Sequence, residues 1–197
     1  MGVVRASVAV LALLVGYAVA PAEAEIAWAA CPENRTVQCG TLRVPADWAD
    51  PYGPSITLTI ARRPAGDPAH RIGALLVNPG GPGGSAVDFT FGASTFFSDE
   101  IRERFDIVGM DPRGVGRSAP VLCSQDLVDA KPDPLIRTAA EYAATIDYNR
   151  RLAADCRANT GPVYDYVDTL SVVRDTEACA PPSASRGSTS TARPTAP

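Results

Sequence analysis

The chain has 197 residues, 46% of them hydrophobic, with 22 acidic and 18 basic side chains and a formal net charge of −4. That length holds one ordinary domain or part of a larger one. Mild acidity without a basic block argues against a nucleic-acid partner, and a single histidine without a Cys-x-x-Cys pair argues against a zinc site.

Residues 1–24 read as a secretory signal peptide. Arg5 gives the positive start, "VAVLALLVGYAVA" the apolar centre and Ala22-Glu23-Ala24 a small-x-small cleavage site. The apolar run is short and wrongly flanked for a membrane span, so the mature chain is expected outside the cell, with no membrane contact after cleavage. Export exposes the five cysteines to an oxidising compartment. Cys31 with Cys39 and Cys123 with Cys156 form the simplest of the three pairings open to four cysteines, and Cys179 is left over.

"CGTLRVPADW" begins the mature chain's regular structure as an extended segment broken by Pro45. "SITLTIARRPA" alternates Ile56, Leu58 and Ile60 with Ser55, Thr57 and Thr59, the period of a half-buried strand. "RIGALLVNPG" and "FDIVGMD" run apolar without alternation, as strands covered on both faces do. Between them, Ser85 with Asp88 three residues on reads as a capping box, and "SDEIRERF" places acids early and arginines late. Strands followed by strand–helix–strand predict an α/β fold whose mixed sheet has an antiparallel edge and a parallel centre. A helix is predicted from Ala139 to about Arg157, with Tyr142, Ile146, Leu152 and Cys156 on one face and Gly161 as its stop. "DTLSVVRDTEA" starts another, capped by Thr169 and turning Leu170 and Val173 inward. Residues 25–177 thus form the folded part. Residues 178–197 contain no Leu, Ile, Val, Phe, Tyr, Trp or Met and are expected to be disordered.

The chemistry concentrates in "LLVNPGGPGGS" (Leu75–Ser85), an apolar strand running into four glycines and two prolines. Gly81–Ala86 matches the G-x-G-x-x-A of a dinucleotide site, with Asp111 ending the next strand. Export, Pro82 inside the turn and the strands preceding the motif weigh against that ligand. An oxyanion loop fits better: glycines admit a substrate to backbone N–H groups, and prolines hold those donors oriented. Gly80 and Gly81 are the candidate oxyanion-hole donors.

Pro79-Gly80-Gly81-Pro82-Gly83-Gly84 resembles the H-G-G-P-G-G loop of proline iminopeptidase-like hydrolases, with Pro79 in place of the histidine. Together with "CGTLRVPADWADP", "FDIVGMDPRGVGRS", the Cys123/Cys156 passage and "YVDTLSVVRDTEA", it follows the order seen in secreted actinobacterial tripeptidyl aminopeptidases. The resemblance spans about residues 26–178. It implies an α/β-hydrolase fold, a peptide substrate, a Ser/Asp/His triad, no metal and no cofactor.

The triad itself is missing. No G-x-S-x-G occurs, although the resemblance places the nucleophile on the strand after the "DTLSVVRDTEA" helix. His70 precedes the loop strand and reads as a solvated loop residue. Ser85 and Ser118 read as cap and turn formers, Asp88 as a cap, Asp111 as a strand end and Arg113 as the partner of Asp111 or another carboxylate. The chain is therefore expected to be the N-terminal part of such a hydrolase, cut before its nucleophile strand and inactive alone. A shifted reading frame after residue 177 or 178 would explain both the tail and Cys179. A secreted, non-catalytic binding module is the alternative, burdened by the open sheet edge the missing strand would leave.

Overall fold

The computed structural model describes residues 26–180 and 190–192; the expected signal peptide lies outside them. Alternation in "SITLTIARR" produces β3 (Ser55–Arg63), which pairs antiparallel with β2 (Gln38–Pro45), and β1 (Ala29–Ala30) adds a short rung to β2. Leu42, Val44, Leu58 and Ile60 meet Met110 on one face of this sheet. On the other, Ala61 packs with Cys31, Val37 and Val87.

β4 (Gly73–Val77) and β5 (Phe105–Met110) run parallel, with Gly73 opposite Phe105 and Val77 opposite Gly109. The crossover between them carries α1 (Ala86–Phe91), α2 (Ala93–Phe96) and α3 (Asp99–Arg104). Leu75, Val77 and Ile107 bury one face against Phe89 and Ala93, and Phe89 stacks on Phe96 at 4.5 Å between ring centroids. α1 lies directly on the β5 backbone. A Cβ at Gly109 would stand 2.1 Å from the Ala86 carbonyl oxygen and 2.3 Å from Thr90 Oγ1.

The sheet order is β1-β2-β3-β5-β4-β6. β3 and β5 are antiparallel, so the parallel portion forms one side of the sheet, not its centre as predicted. The one strand–helix–strand crossover supplies the β4–β5 parallel pair, and β6 adds a second on the outer edge of β4. The predicted coverage of β4 on both faces is also only half met, since Leu75 and Val77 are buried while Ala74 and Leu76 are partly exposed. Within residues 178–197, Ser190–Ala192 forms β6, parallel to β4 opposite Leu75–Val77. A ladder needs N–H and C=O groups rather than apolar side chains, and the outer edge of β4 offers them.

Beyond the sheet, α4 (Gln125–Asp129) leads to α5 (Ala139–Thr160), opened by a Thr138/Glu141 capping box and closed at Gly161, whose φ is +79°. The predicted inner face of α5 is partly wrong. Tyr142 is exposed, and Tyr148 turns inward, its hydroxyl donating to the Leu127 carbonyl at 2.9 Å. α5 packs mainly on the turn Pro162–Tyr166 and is stapled by the Cys123–Cys156 disulfide, so it needs little apolar surface. The second disulfide joins Cys31 to Cys39.

α6 (Thr169–Cys179) departs furthest from expectation. Asp168 caps it, accepting from the Ser171 N–H, one residue before the predicted cap. Leu170 and Val173 face outward, while Ser171 and Asp175 are buried. Arg113 is the reason.

Candidate functional site

The glycine loop leaves β4 with its backbone in the left-handed half of conformational space: φ is +78° at Gly80, +136° at Gly81 and +87° at Gly83. At Gly81 a side chain would also collide, its Cβ 2.9 Å from the Gly83 nitrogen. Asn78 Oδ1 accepts from the Gly80 N–H at 2.8 Å, and the Gly84 N–H donates back to the Gly80 carbonyl at 3.2 Å. Of the two donors expected from sequence, Gly80 is thus engaged within the loop. The N–H groups of Gly81 and Gly83 have no hydrogen-bond partner among the described residues.

Asp111 stands at the end of β5 beneath this loop and is fully buried. Its Oδ1 accepts from Ser85 Oγ at 2.8 Å and from the Val87 N–H at 3.0 Å, and its Oδ2 accepts from the Arg117 N–H at 2.9 Å. These bonds occupy the carboxylate that a dinucleotide ribose would require. Ser85 Oγ in turn accepts from the Asp88 N–H, so Ser85 caps α1 as predicted. The reciprocal half of the box is replaced, because the Asp88 carboxylate takes Arg117 at 2.9 Å. Arg117 also reaches Glu33 and lies over the Phe91 ring. Desolvation opposes its charge, yet the bonds and fields of Asp88 and Glu33 raise its pKa on balance.

The second loop, "DPRGVGRS", aims Arg113 away from the glycines and into the core. Its guanidinium grips Asp175 through two 2.7 Å bonds and donates to the carbonyls of Pro45, Ala46 and Tyr166. Trp48 Nε1 completes the carboxylate's shell at 3.0 Å. The expected carboxylate partner is therefore Asp175, not the adjacent Asp111, and drawing it inward rotates the apolar side chains of α6 outward. The glycine loop, this second loop and the start of α6 enclose an open cleft of about 470 Å³. Asp168 at its rim has a lowered pKa, chiefly from the Ser171 backbone N–H and then its hydroxyl.

The remaining sequence candidates do not meet here. His70 sits beyond the opposite end of β4, exposed and 2.7 Å from Asp67. Ser118 is buried, its Oγ accepting from the Thr59 N–H. The geometry offers two loose backbone donors beside a cleft, on a braced loop, with no side-chain nucleophile and base paired there among the described residues. Sequence reading missed Asp175, 62 residues from Arg113; its only signal is an acid on a helix whose other residues suggest it faces water.

No family model matches the chain. It is 37% identical over 165 residues to the tripeptidyl aminopeptidase of Streptomyces lividans, covering 78% of this chain and 30% of that protein. Carboxylesterase B of Mycobacterium tuberculosis is 42% identical over 149 residues, covering 73% of this chain and 28% of its own length. The serine protease Hip1 of the same organism is 35% identical over 146 residues, covering 71% and 28% respectively. The chain spans about 30% of the length of the curated relatives it matches.

Proposed function

We propose that this chain, a relative of the tripeptidyl aminopeptidase-like serine hydrolases, is the oxyanion-loop portion of an exported peptidase that lacks its attacking group. The observation that carries the reading is the braced loop whose N–H groups at Gly81 and Gly83 are unbonded among the described residues, beside an open cleft. In acyl transfer the scissile carbonyl oxygen gains negative charge, and fixed N–H donors stabilise it more than the neutral ground state. Removing one such donor from a working enzyme costs roughly 2.7–4 kcal/mol of transition-state stabilisation. Gly81 is the donor we assign. Gly80 would contribute only after giving up its bond to Asn78.

The relatives' names point to ester and peptide bonds as the class of substrate, and a short peptide with a free N-terminus is the substrate we assign to the complete protein. Two disulfides fit export. The triad's nucleophile and base find no counterpart in this sequence, since no G-x-S-x-G occurs and the sole histidine lies at the wrong end of β4. Stabilising an oxyanion accelerates nothing without a group to create it. We propose a shifted reading frame after residue 177 or 178 as the origin of the residues that follow.

The test is the purified chain with a chromogenic tripeptide substrate, beside a control treated with a serine-directed inhibitor. No inhibitor-sensitive turnover is expected, and its appearance would overturn the proposal. Sequencing the encoding DNA tests the origin of the tail; another frame that fails to encode G-x-S-x-G within about fifty codons removes that explanation.

A further inference from the structure

We infer that Asp111 is the positioning residue of the glycine loop: one buried carboxylate joins the two loops that frame the cleft and thereby sets where the Gly81 N–H points. The inference rests on reading that loop as an oxyanion loop, but its test reads loop order and not turnover. Asp111 is completely buried yet has no ion-pair partner among the described residues. The two guanidiniums nearest in sequence are committed elsewhere, Arg113 to Asp175 and Arg117 to Asp88 and Glu33. Among the described residues only neutral donors reach the carboxylate, and they come from both sides: Ser85 Oγ and the Val87 N–H after the glycine loop, and the Arg117 N–H of the second loop.

A buried carboxylate is costly to keep without a counter-charge unless hydrogen bonds satisfy it, so its three bonds must hold geometry that neutral packing would not. The bracing is continuous. Ser85 follows Gly84, whose N–H closes the turn on the Gly80 carbonyl, and that turn encloses Gly81. On the other side, Gly116 has φ of +53°, and a Cβ there would stand 2.3 Å from Asp111 Oδ2. The second loop is shaped to bring its backbone against this one side chain.

The experiment is amide hydrogen exchange by NMR on the whole chain, comparing wild type, D111N and D111A. In D111N the retained oxygen can still serve Ser85 and Val87, while the new amide N–H₂ faces the Arg117 N–H. Arg117 exchange should rise at least tenfold while Val87 exchange and the Gly81 amide shift hold. In D111A both amides should exchange at least tenfold faster and the Gly81 resonance should move, with the β3 amides of Leu58 and Ile60 unchanged. Loss of protection across β3 by the same factor, or an unmoved Gly81 signal with both amides still protected, would overturn the inference. If D111A does not fold, the contrast between Arg117 and Val87 in D111N decides it alone. Failure of the turnover prediction leaves these readouts intact, so the two ideas fail separately.

Discussion

Replacing Arg113 by Met removes the charge that holds Asp175 in the core while keeping a long apolar stem in its place. Both side chains are fully buried. In the variant Asp175 retains only Trp48 Nε1 as a donor among the described residues, and the carbonyls of Pro45, Ala46 and Tyr166 each lose a partner. Breaking a buried pair by deleting one member costs about 3–5 kcal/mol, because the other charge stays behind. Against a total stability of about 5–15 kcal/mol for an ordinary domain, the loss should be visible at once in equilibrium urea unfolding. Trp48 fluorescence reports the site directly. Arg113→Met with Asp175→Leu removes both charges and should recover at least half of the loss. A single-variant loss below about 1 kcal/mol, or a double variant as unstable as the sum of the single ones, would refute the argument that this pair orients α6.

Gly109→Ala should destabilise by more than about 3 kcal/mol, since its Cβ would meet the Ala86 backbone at 2.1 Å and force α1 off the sheet; thermal unfolding measures it. Replacing Cys123 and Cys156 by Ser opens a loop of sequence separation 33, worth about 3.7 kcal/mol by chain entropy against about 2.5 kcal/mol for the Cys31–Cys39 pair of separation 8. Chemical denaturation of the two double variants should rank them in that order. Burial pushes the Cys179 thiol up to about 11, so alkylation by iodoacetamide at pH 8 should run about a hundredfold slower than for an unperturbed thiol. Because the folded state favours the neutral thiol, its contribution to stability is intact below about pH 9 and lost as pH rises toward about 11. Alkylation at the rate of a free peptide thiol would contradict the partial burial of Cys179.

What the sequence by itself determined is local. The Ser85 cap, the Ala139 start and Gly161 stop of α5, and the alternation of β3 all depend on residues close to one another in the chain. The glycine loop was legible for the same reason, since a run so poor in side chains has few uses at the end of a buried strand. The Asn78–Gly80 bond was not, although only two residues separate them, because the sequence offered no reason to spend that donor inside the turn. Tertiary structure decided the rest. Arg113 had a carboxylate two residues away and another 62 away, and three backbone carbonyls selected the distant one. That choice turned α6 over, burying Ser171 and Asp175 and exposing Leu170 and Val173 against its own apolar pattern. A hydrophobic pattern assigns faces by counting apolar side chains, and one buried guanidinium with five hydrogen bonds outweighed two of them.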